Sequence, residues 1–324
     1  MAPAAIRSPT FSTPSTTASS PPLHSMSLLI VGTLAFDSIE TPYERRERVL
    51  GGSATYCALA ARHFAPVRLV GVVGQDFGRD RLADLASRGI DTEGVEVAAG
   101  KTFFWEGRYE ADWNTRHTLK TELNVLEHFD PKVPRRFTDS RFVFLANAAP
   151  AVQRAALAQC PQAEFVMADT MNLWINVARE ELLELLQRVD GLVLNDEEAR
   201  LLSGERNLIA AAKKVLSFGP RFCVLKKGEH GAFLIGRDVH YALPAYPVNQ
   251  VMDPTGAGDS FAGGFMGYLA SVQHTGSATL KRAMLYGTVT ASYCVEGFSV
   301  DRLRDTSRRQ VEERFNELCG LVSV

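Results

Sequence analysis

Two aspartates, a threonine and two glycines fall within seven residues at Asp253-Pro254-Thr255-Gly256-Ala257-Gly258-Asp259. Together they can handle a phosphate and a proton in one place. Pro254 pushes Asp253 out of helical backbone, and Gly256 and Gly258 permit a tight turn whose N–H groups converge. A helix is expected to follow over 259–270. Its first amides lack intrahelical partners, and with the positive end of the helix dipole they make an anion site. There the amides of Gly256, Ala257 and Gly258 would form an anion hole, and Asp259 could take a proton from an attacking hydroxyl. Read by itself, Asp259 would also serve as a plain helix cap. Gly263, Gly264 and Gly267 each cost about 1 kcal/mol inside a helix, which implies that something approaches that helix closely.

The elements that position this turn follow from the hydrophobic pattern. Short apolar runs at 27–31, 67–73, 142–146, 165–168, 191–194, 222–225 and 232–235, with a further one at 239–242, read as strands. Helical patterns cover 54–64, 79–88, 151–159, 177–187, 196–202, 208–216, 277–293 and 307–319. Strands alternating with helices imply an α/β fold, doubly wound, with a mainly parallel sheet covered by helices on both faces. Phe103, Trp105, Gly107 and Tyr109 alternate with other residues, so 95–123 together with 38–50 is expected to form a small β-sheet lid outside the main fold. One domain then spans 26–324. Ligands of such sheets bind beyond the carboxyl ends of the strands. That rule gathers 32–37, 74–76, Asn147, 169–172, Asn195 and 226–228 along one edge.

Composition narrows the function. With 324 residues, 46% of them hydrophobic, the chain can bury a full core. A net charge of −2 gives no support to a nucleic-acid or membrane role, and no apolar run approaches the roughly 18 residues of a membrane span. Cys57, Cys160, Cys223, Cys294 and Cys319 show no C-x-x-C spacing, which suits a reducing compartment, the cytoplasm. Residues 1–25 are rich in Ser, Thr, Pro and Ala and read as a disordered tail, with Met26 a suitable alternative start. Gly94 and Gly100 are separated by five residues where a P-loop needs four. No glycine fingerprint follows the first strand, and no cluster has metal-ligand spacing.

Three further loci bear polar chemistry. Gly51 and Gly52 precede an alanine-rich helix and let the backbone close over a small ligand. Asp37 follows the first strand, and a carboxylate there can accept from two adjacent hydroxyls. Asn195 opens a helix with Glu198 three residues on, a capping pattern. With these in place, the 253–259 stretch resembles the D-T-x-G-A-G-D signature of the ribokinase-like (phosphofructokinase-B) carbohydrate kinase family, Pro254 displacing the usual threonine.

The resemblance implies a ribokinase-like fold and an ATP-dependent kinase acting on a primary hydroxyl of a sugar or sugar derivative. A nucleoside is the alternative acceptor, and a non-catalytic sugar or nucleotide sensor is the reading from another class. In the family's terms Asp259 is the catalytic base. Asp37, Gly51, Gly52, Tyr56 and Asn147 face the acceptor, Tyr56 replacing the asparagine many members carry. Asn195 and Glu198 organise Mg²⁺ and its waters, and Gly228, Thr255, Asp169 and Asn172 lie on the nucleotide side. Asp253 and Thr255 correspond to a monovalent-cation (K⁺) position of some relatives. Gly287, Thr288 and Ala291 correspond to an adenine pocket. Lys226-Lys227 stand where a Thr-Leu pair is usual. Asp169-Thr170-Met171-Asn172-Leu173-Trp174 lacks the arginine of a sugar-acid kinase motif, which argues against a sugar acid. Phe36, Tyr56, Phe103, Trp105 and Trp113 around the lid lean toward a planar acceptor, and the lid sheet could pair with a second copy in a homodimer.

Overall fold

Leu28 and Ile30 pack on one side of the first strand and Leu29 and Val31 on the other, none of them exposed. A strand buried on both faces needs a helical layer on each. The computed structural model describes residues 26–323, so the tail expected at 1–25 lies outside them. The strands are β1 (Leu28–Val31), β2 (Ala35–Glu40), β3 (Arg45–Gly51), β4 (Val67–Gly74), β5 (Ile90–Ala98), β6 (Phe104–Tyr109), β7 (Arg116–Glu122), β8 (Phe142–Leu145), β9 (Phe165–Asp169), β10 (Gly191–Asn195), β11 (Phe222–Lys226), β12 (Ala232–Gly236) and β13 (His240–Leu243). The helices are α1 (Ser53–Ala61), α2 (Arg79–Ser87), α3 (Pro150–Ala158), α4 (Asn172–Val177), α5 (Arg179–Leu186), α6 (Asp196–Ser203), α7 (Leu208–Leu216), α8 (Ala257–Val272), α9 (Ser277–Val295), α10 (Asp301–Asp305) and α11 (Arg308–Val322).

The main sheet has the order β13-β12-β11-β10-β9-β8-β1-β4-β5. From β5 to β11 every pairing is parallel, and β12 and β13 close the far edge antiparallel. One apolar layer joins the sheet to α1, α8 and α9, and the other joins it to α3, α5, α6 and α7. Strand order runs outward from β1 in both directions, so the carboxyl ends of β1 and β8 flank the crevice where ligands of such sheets bind. A separate four-stranded sheet, β3-β2-β6-β7, provides the lid. Its central pair β2·β6 is parallel and its outer pairs are antiparallel.

Several boundaries differ from the sequence reading. Val95 to Ala98, expected in the lid, belong to β5, whose pairing with β4 runs from Val67↔Ile90 to Gly74↔Ala98. Alternation marks a half-buried strand but not the sheet it joins. The helix expected over 177–187 is α5, which begins at Arg179; α4 was not expected, and Ala178, at φ −138°, ψ 38°, separates the two. α10 was not expected, and α8 begins at Ala257, two residues before Asp259. The close approach implied by the α8 glycines is made by other helices. A Cβ at Gly267 would sit 2.9 Å from the Cα of Ala61 in α1, and one at Gly264 would sit 2.7 Å from the carbonyl oxygen of Tyr286 in α9. These glycines seat α8 against its neighbours, and its amino end thereby faces the sheet edge.

Candidate active site

The turn before α8 is built from the inside out. Asp253 is fully buried, its Oδ1 accepting from Thr255 N (2.9 Å) and its Oδ2 from Ser299 N (2.9 Å). Burial raises its pKa, against the pull of those donors. Gly256 is the N-cap of α8 at φ 76°, a left-handed conformation suited to glycine. The Ala257 N–H donates to Pro254 O at 3.2 Å. That leaves the N–H groups of Gly256 and Gly258, rather than all three, for an incoming anion. Asp259 stands in the first turn of α8. Burial and then the charge of Asp169 raise its pKa to about 7, opposed by Lys226 and Arg116. A carboxylate poised near neutrality suits a general base.

Beside it stands a group of charges from neighbouring strand ends. Lys226, the last residue of β11, places Nζ 3.4 Å from Asp169 Oδ2 at the end of β9. Asp169 Oδ1 also accepts from Thr170 N at 2.8 Å. Burial lowers the Lys226 pKa, but Asp169, Glu198 and Asp259 outweigh it and hold the ammonium above its ordinary value. Asn195 and Glu198 form a capping box on α6, with Asn195 N donating to Glu198 Oε2 (2.7 Å) and Glu198 N to Asn195 Oδ1 (2.8 Å). Burial raises Glu198 to about 7, Lys226 opposing and Asp169 adding. Among the described residues the Asn172 Oδ1 is buried without a hydrogen-bond partner.

A cleft of about 480 Å³ opens beside Lys226. Pro254, Ala257, Gly258 and Lys226 floor it, and Val251, Phe261, Thr288 and Ala291 give it an apolar wall. Gly228, at φ 55°, lines its rim. Gly287 does not line it, because a Cβ there would lie 2.8 Å from Phe261 O, within the α8–α9 contact.

A second group of polar residues gathers near the carboxyl ends of β1 and β8, with Asp37 close enough to Asp253 and Asp259 to feel their charges. Asp37 is on β2, and a Cβ at Gly51 would land on its carboxylate. Burial, then the charges of Asp253 and Asp259, raise Asp37 to about 8, opposed by a hydrogen bond from the Gly52 backbone. Near pH 7 it is therefore mostly protonated, able to donate to one hydroxyl and accept from another. Asn147 Oδ1 accepts from Trp174 Nε1 (3.0 Å), and its carbonyl accepts from Ser53 Oγ (3.1 Å). Ser53 Oγ lies 2.9 Å from Thr33 Oγ1, so α1, β1 and β8 are tied together there. Gly51→Ala should push Asp37 aside and raise the acceptor KM by about tenfold, one lost charged or polar contact. Steady-state kinetics varying each substrate checks this, and an unchanged acceptor KM with a raised ATP KM would place Asp37 on the wrong side.

Tyr56 is not a stacking platform. It is 1% exposed, and a Cβ at Gly256 would overlap its ring, so it lies beneath the anion-hole turn. Phe36 is likewise engaged, against Phe77 and under the guanidinium groups of Arg48 and Arg81. Lys226, Tyr109 and Arg116 are charge and hydrogen-bond partners of the site that the local sequence pattern does not reveal. Tyr109 OH, on the lid, meets Thr255 Oγ1 at 3.2 Å, and Asn114 at the β6–β7 tip donates to Glu229 Oε1 at 3.2 Å. The strand-end rule pointed at Lys226, but two consecutive lysines do not reveal which one faces the cleft. Lys227 lies over the Phe233 ring at 4.0 Å.

A buried carboxylate in the first turn of a helix, beside a cleft of about 480 Å³ and a cluster of polar groups, suits a phosphotransferase with an alcohol acceptor. The family model for pfkB family carbohydrate kinases matches residues 27–306, and the chain belongs to that family. It is 29% identical over 248 residues to a cytidine kinase of Thermococcus kodakarensis, covering 74% of this chain and 87% of that protein. To a 2-dehydro-3-deoxygluconokinase of Thermoproteus tenax it is 28% identical over 293 residues, covering 84% and 86%. The crystal structure of a Methanocaldococcus jannaschii nucleoside kinase, an archaeal member of the ribokinase family, superimposes with a TM-score of 0.72 at 21% identity, covering 90% of this chain and 98% of that one. The fold is ribokinase-like. Kinases of this family use ATP, and Mg²⁺ is implied with it. Among the described residues no group of three His, Cys, Asp or Glu forms a metal cage. Glu198 and Asp169, with the unpartnered Asn172 Oδ1, suit an ion held mainly by phosphates and its own waters. No helix among the described residues is long and apolar enough to cross a membrane.

Proposed function

We propose that this chain transfers the γ-phosphoryl group of ATP to a primary hydroxyl of a sugar or sugar derivative. The placement of Asp259 in the first turn of α8, next to the cleft-lining Gly258 and close enough to Asp37 for their charges to interact, carries this reading. The acceptor hydroxyl lies against Asp37, the Gly51-Gly52 loop and Asn147. Its oxygen bonds to the γ-phosphorus while its proton passes to Asp259. The bond from phosphorus to the ADP oxygen breaks, and its electron pair stays on the ADP β-phosphate. The Gly256 and Gly258 amides hold charge on the transferring group. Mg²⁺, near Glu198, would neutralise the β- and γ-phosphate oxygens. Residues 38–50 and 104–122 act as the lid that excludes water. K⁺ beside Asp253 and Thr255 would have to use the remaining lone pairs of a carboxylate already capped by two amides, and turnover in K⁺ against Na⁺ buffer tests it.

A sugar is favoured because Tyr56 and Phe36, two of the aromatic rings expected to stack on a planar base, are engaged in packing. A nucleoside acceptor is the second reading, favoured by similarity to the Thermococcus kodakarensis cytidine kinase over 74% of the chain. ADP release with ribose, fructose, adenosine, inosine, cytidine and a 2-keto-3-deoxy sugar acid, side by side, tests both. Turnover confined to nucleosides overturns the sugar assignment, and ATP binding without turnover on a broad panel favours a sensor. β7 leaves an edge that is almost wholly exposed, Leu119 included. A second copy pairing there belongs to the proposal, and sedimentation mass checks it.

A further inference from the structure

We propose that Lys226 is a catalytic residue of this kinase, its ammonium contacting the γ-phosphoryl group as it is transferred. This rests on the assignment of the cleft to ATP. Lys226 ends β11 and lines the cleft floor beside Ala257 and Gly258. A Cβ at Gly258 would lie 2.8 Å from its Nζ, so the ammonium rests against the first turn of α8, where the base Asp259 stands. The group transferred to an oxygen deprotonated by Asp259 must pass through that space. An ammonium has three donors, and the one hydrogen bond this one makes among the described residues is the 3.4 Å contact to Asp169. Two donors remain for the cleft, and the Asp169 contact is long for a charged pair.

The charge balance points the same way. Asp169, Glu198 and Asp259 all act on the Lys226 ammonium, and Arg116 is the other cation near Glu198 and Asp259. A buried cation beside an anion site, with donors unused, is arranged for an anionic ligand as well as for its neighbours. On nucleotide binding Lys226 keeps Asp169 as its anchor and turns its free donors to the γ-phosphoryl oxygens. Every bond that forms or breaks is the one described for the transfer above; the lysine exchanges no proton and neutralises the charge on the equatorial oxygens. Lys227 takes no part, since its ammonium is stacked on Phe233.

The test is a pair of calorimetric titrations of the full chain in Mg²⁺, one with ADP and one with a β,γ-imido analogue of ATP. In Lys226→Gln the analogue should bind about tenfold more weakly and ADP within about twofold of wild type, as expected for one charge-assisted contact confined to the γ-position. On whichever acceptor the panel identifies, kcat should fall about 10²-fold, with Lys226→Arg recovering part of it. Equal weakening of both nucleotides, or of neither, overturns the proposal, the first outcome marking Lys226 as a structural partner of Asp169. If Lys226→Gln does not melt cooperatively, D169N/K226Q is compared with D169N alone in the same titrations, because that pair removes the acid to which Lys226 is hydrogen-bonded. Wild-type ADP binding tests the cleft assignment, and the difference between nucleotides tests the lysine.

Discussion

Asp259→Asn should lower kcat by about 10²–10⁴-fold, the contribution of a positioned general base, while ATP affinity stays within about threefold. Asparagine keeps the shape of the first turn of α8 but cannot accept the hydroxyl proton. The Gly256 and Gly258 amides and the cleft wall are untouched by the change. A second signature is the pH profile. The base works deprotonated, and burial with the Asp169 charge raises Asp259 to about 7. In wild type kcat/KM should therefore fall about tenfold per pH unit below pH about 7. In the asparagine variant that limb should vanish. A coupled ADP assay across pH 5.5–9, with calorimetry for ATP binding, measures both. Near-wild-type turnover by Asp259→Asn, or an unchanged acid limb, would remove Asp259 from the proton-transfer role.

The contrast between what was and was not legible in the sequence follows from the range of the forces involved. The 253–259 turn is written in local code: proline excludes helix before it, glycine permits the left-handed N-cap, and an acid follows in the first turn. The structure keeps that order and shifts only the start of α8. The capping box of Asn195 and Glu198 is local in the same way. The β–α rhythm depends on apolar periodicity and gave the main sheet with its helices nearly strand for strand. Properties set by distant packing were not legible. α1 is buried along its whole length, so its pattern could not show that Tyr56 lies under Gly256. Asp37 reads as an ordinary carboxylate until three chain segments enclose it and raise it to about 8. The role of Lys226 depends on the parallel pairing of β11 with β10, which sets it beside Asp169 and Glu198. Val95 to Ala98 were misplaced because an edge strand of one sheet and a strand of another share the same alternation.

Gly256→Ala should be strongly destabilising, for two reasons. At φ 76° an alanine pays about 1–2 kcal/mol for the left-handed conformation. Its Cβ would also enter the face of the Tyr56 ring, which is 1% exposed and held between α1 and the turn. Overpacking of this kind costs about 1–3 kcal/mol. The sum, roughly 2–5 kcal/mol, is a large part of the about 5–15 kcal/mol typical of a folded domain. It should appear as a melting temperature lower by roughly 5–15 °C. Relief of the clash would move the Gly256 and Gly258 amides off the phosphoryl position, and loss of such donors costs about 10²-fold in kcat. The strain and the clash can be separated. Tyr56→Leu shortens the ring, so in the G256A/Y56L pair the clash term should be recovered while the backbone term persists. A double-mutant cycle by thermal melting should give a favourable coupling of about 1 kcal/mol or more. Strict additivity would mean that Tyr56 does not brace the turn, and the anion hole would then owe its shape to Asp253 alone, through Thr255 N and Ser299 N.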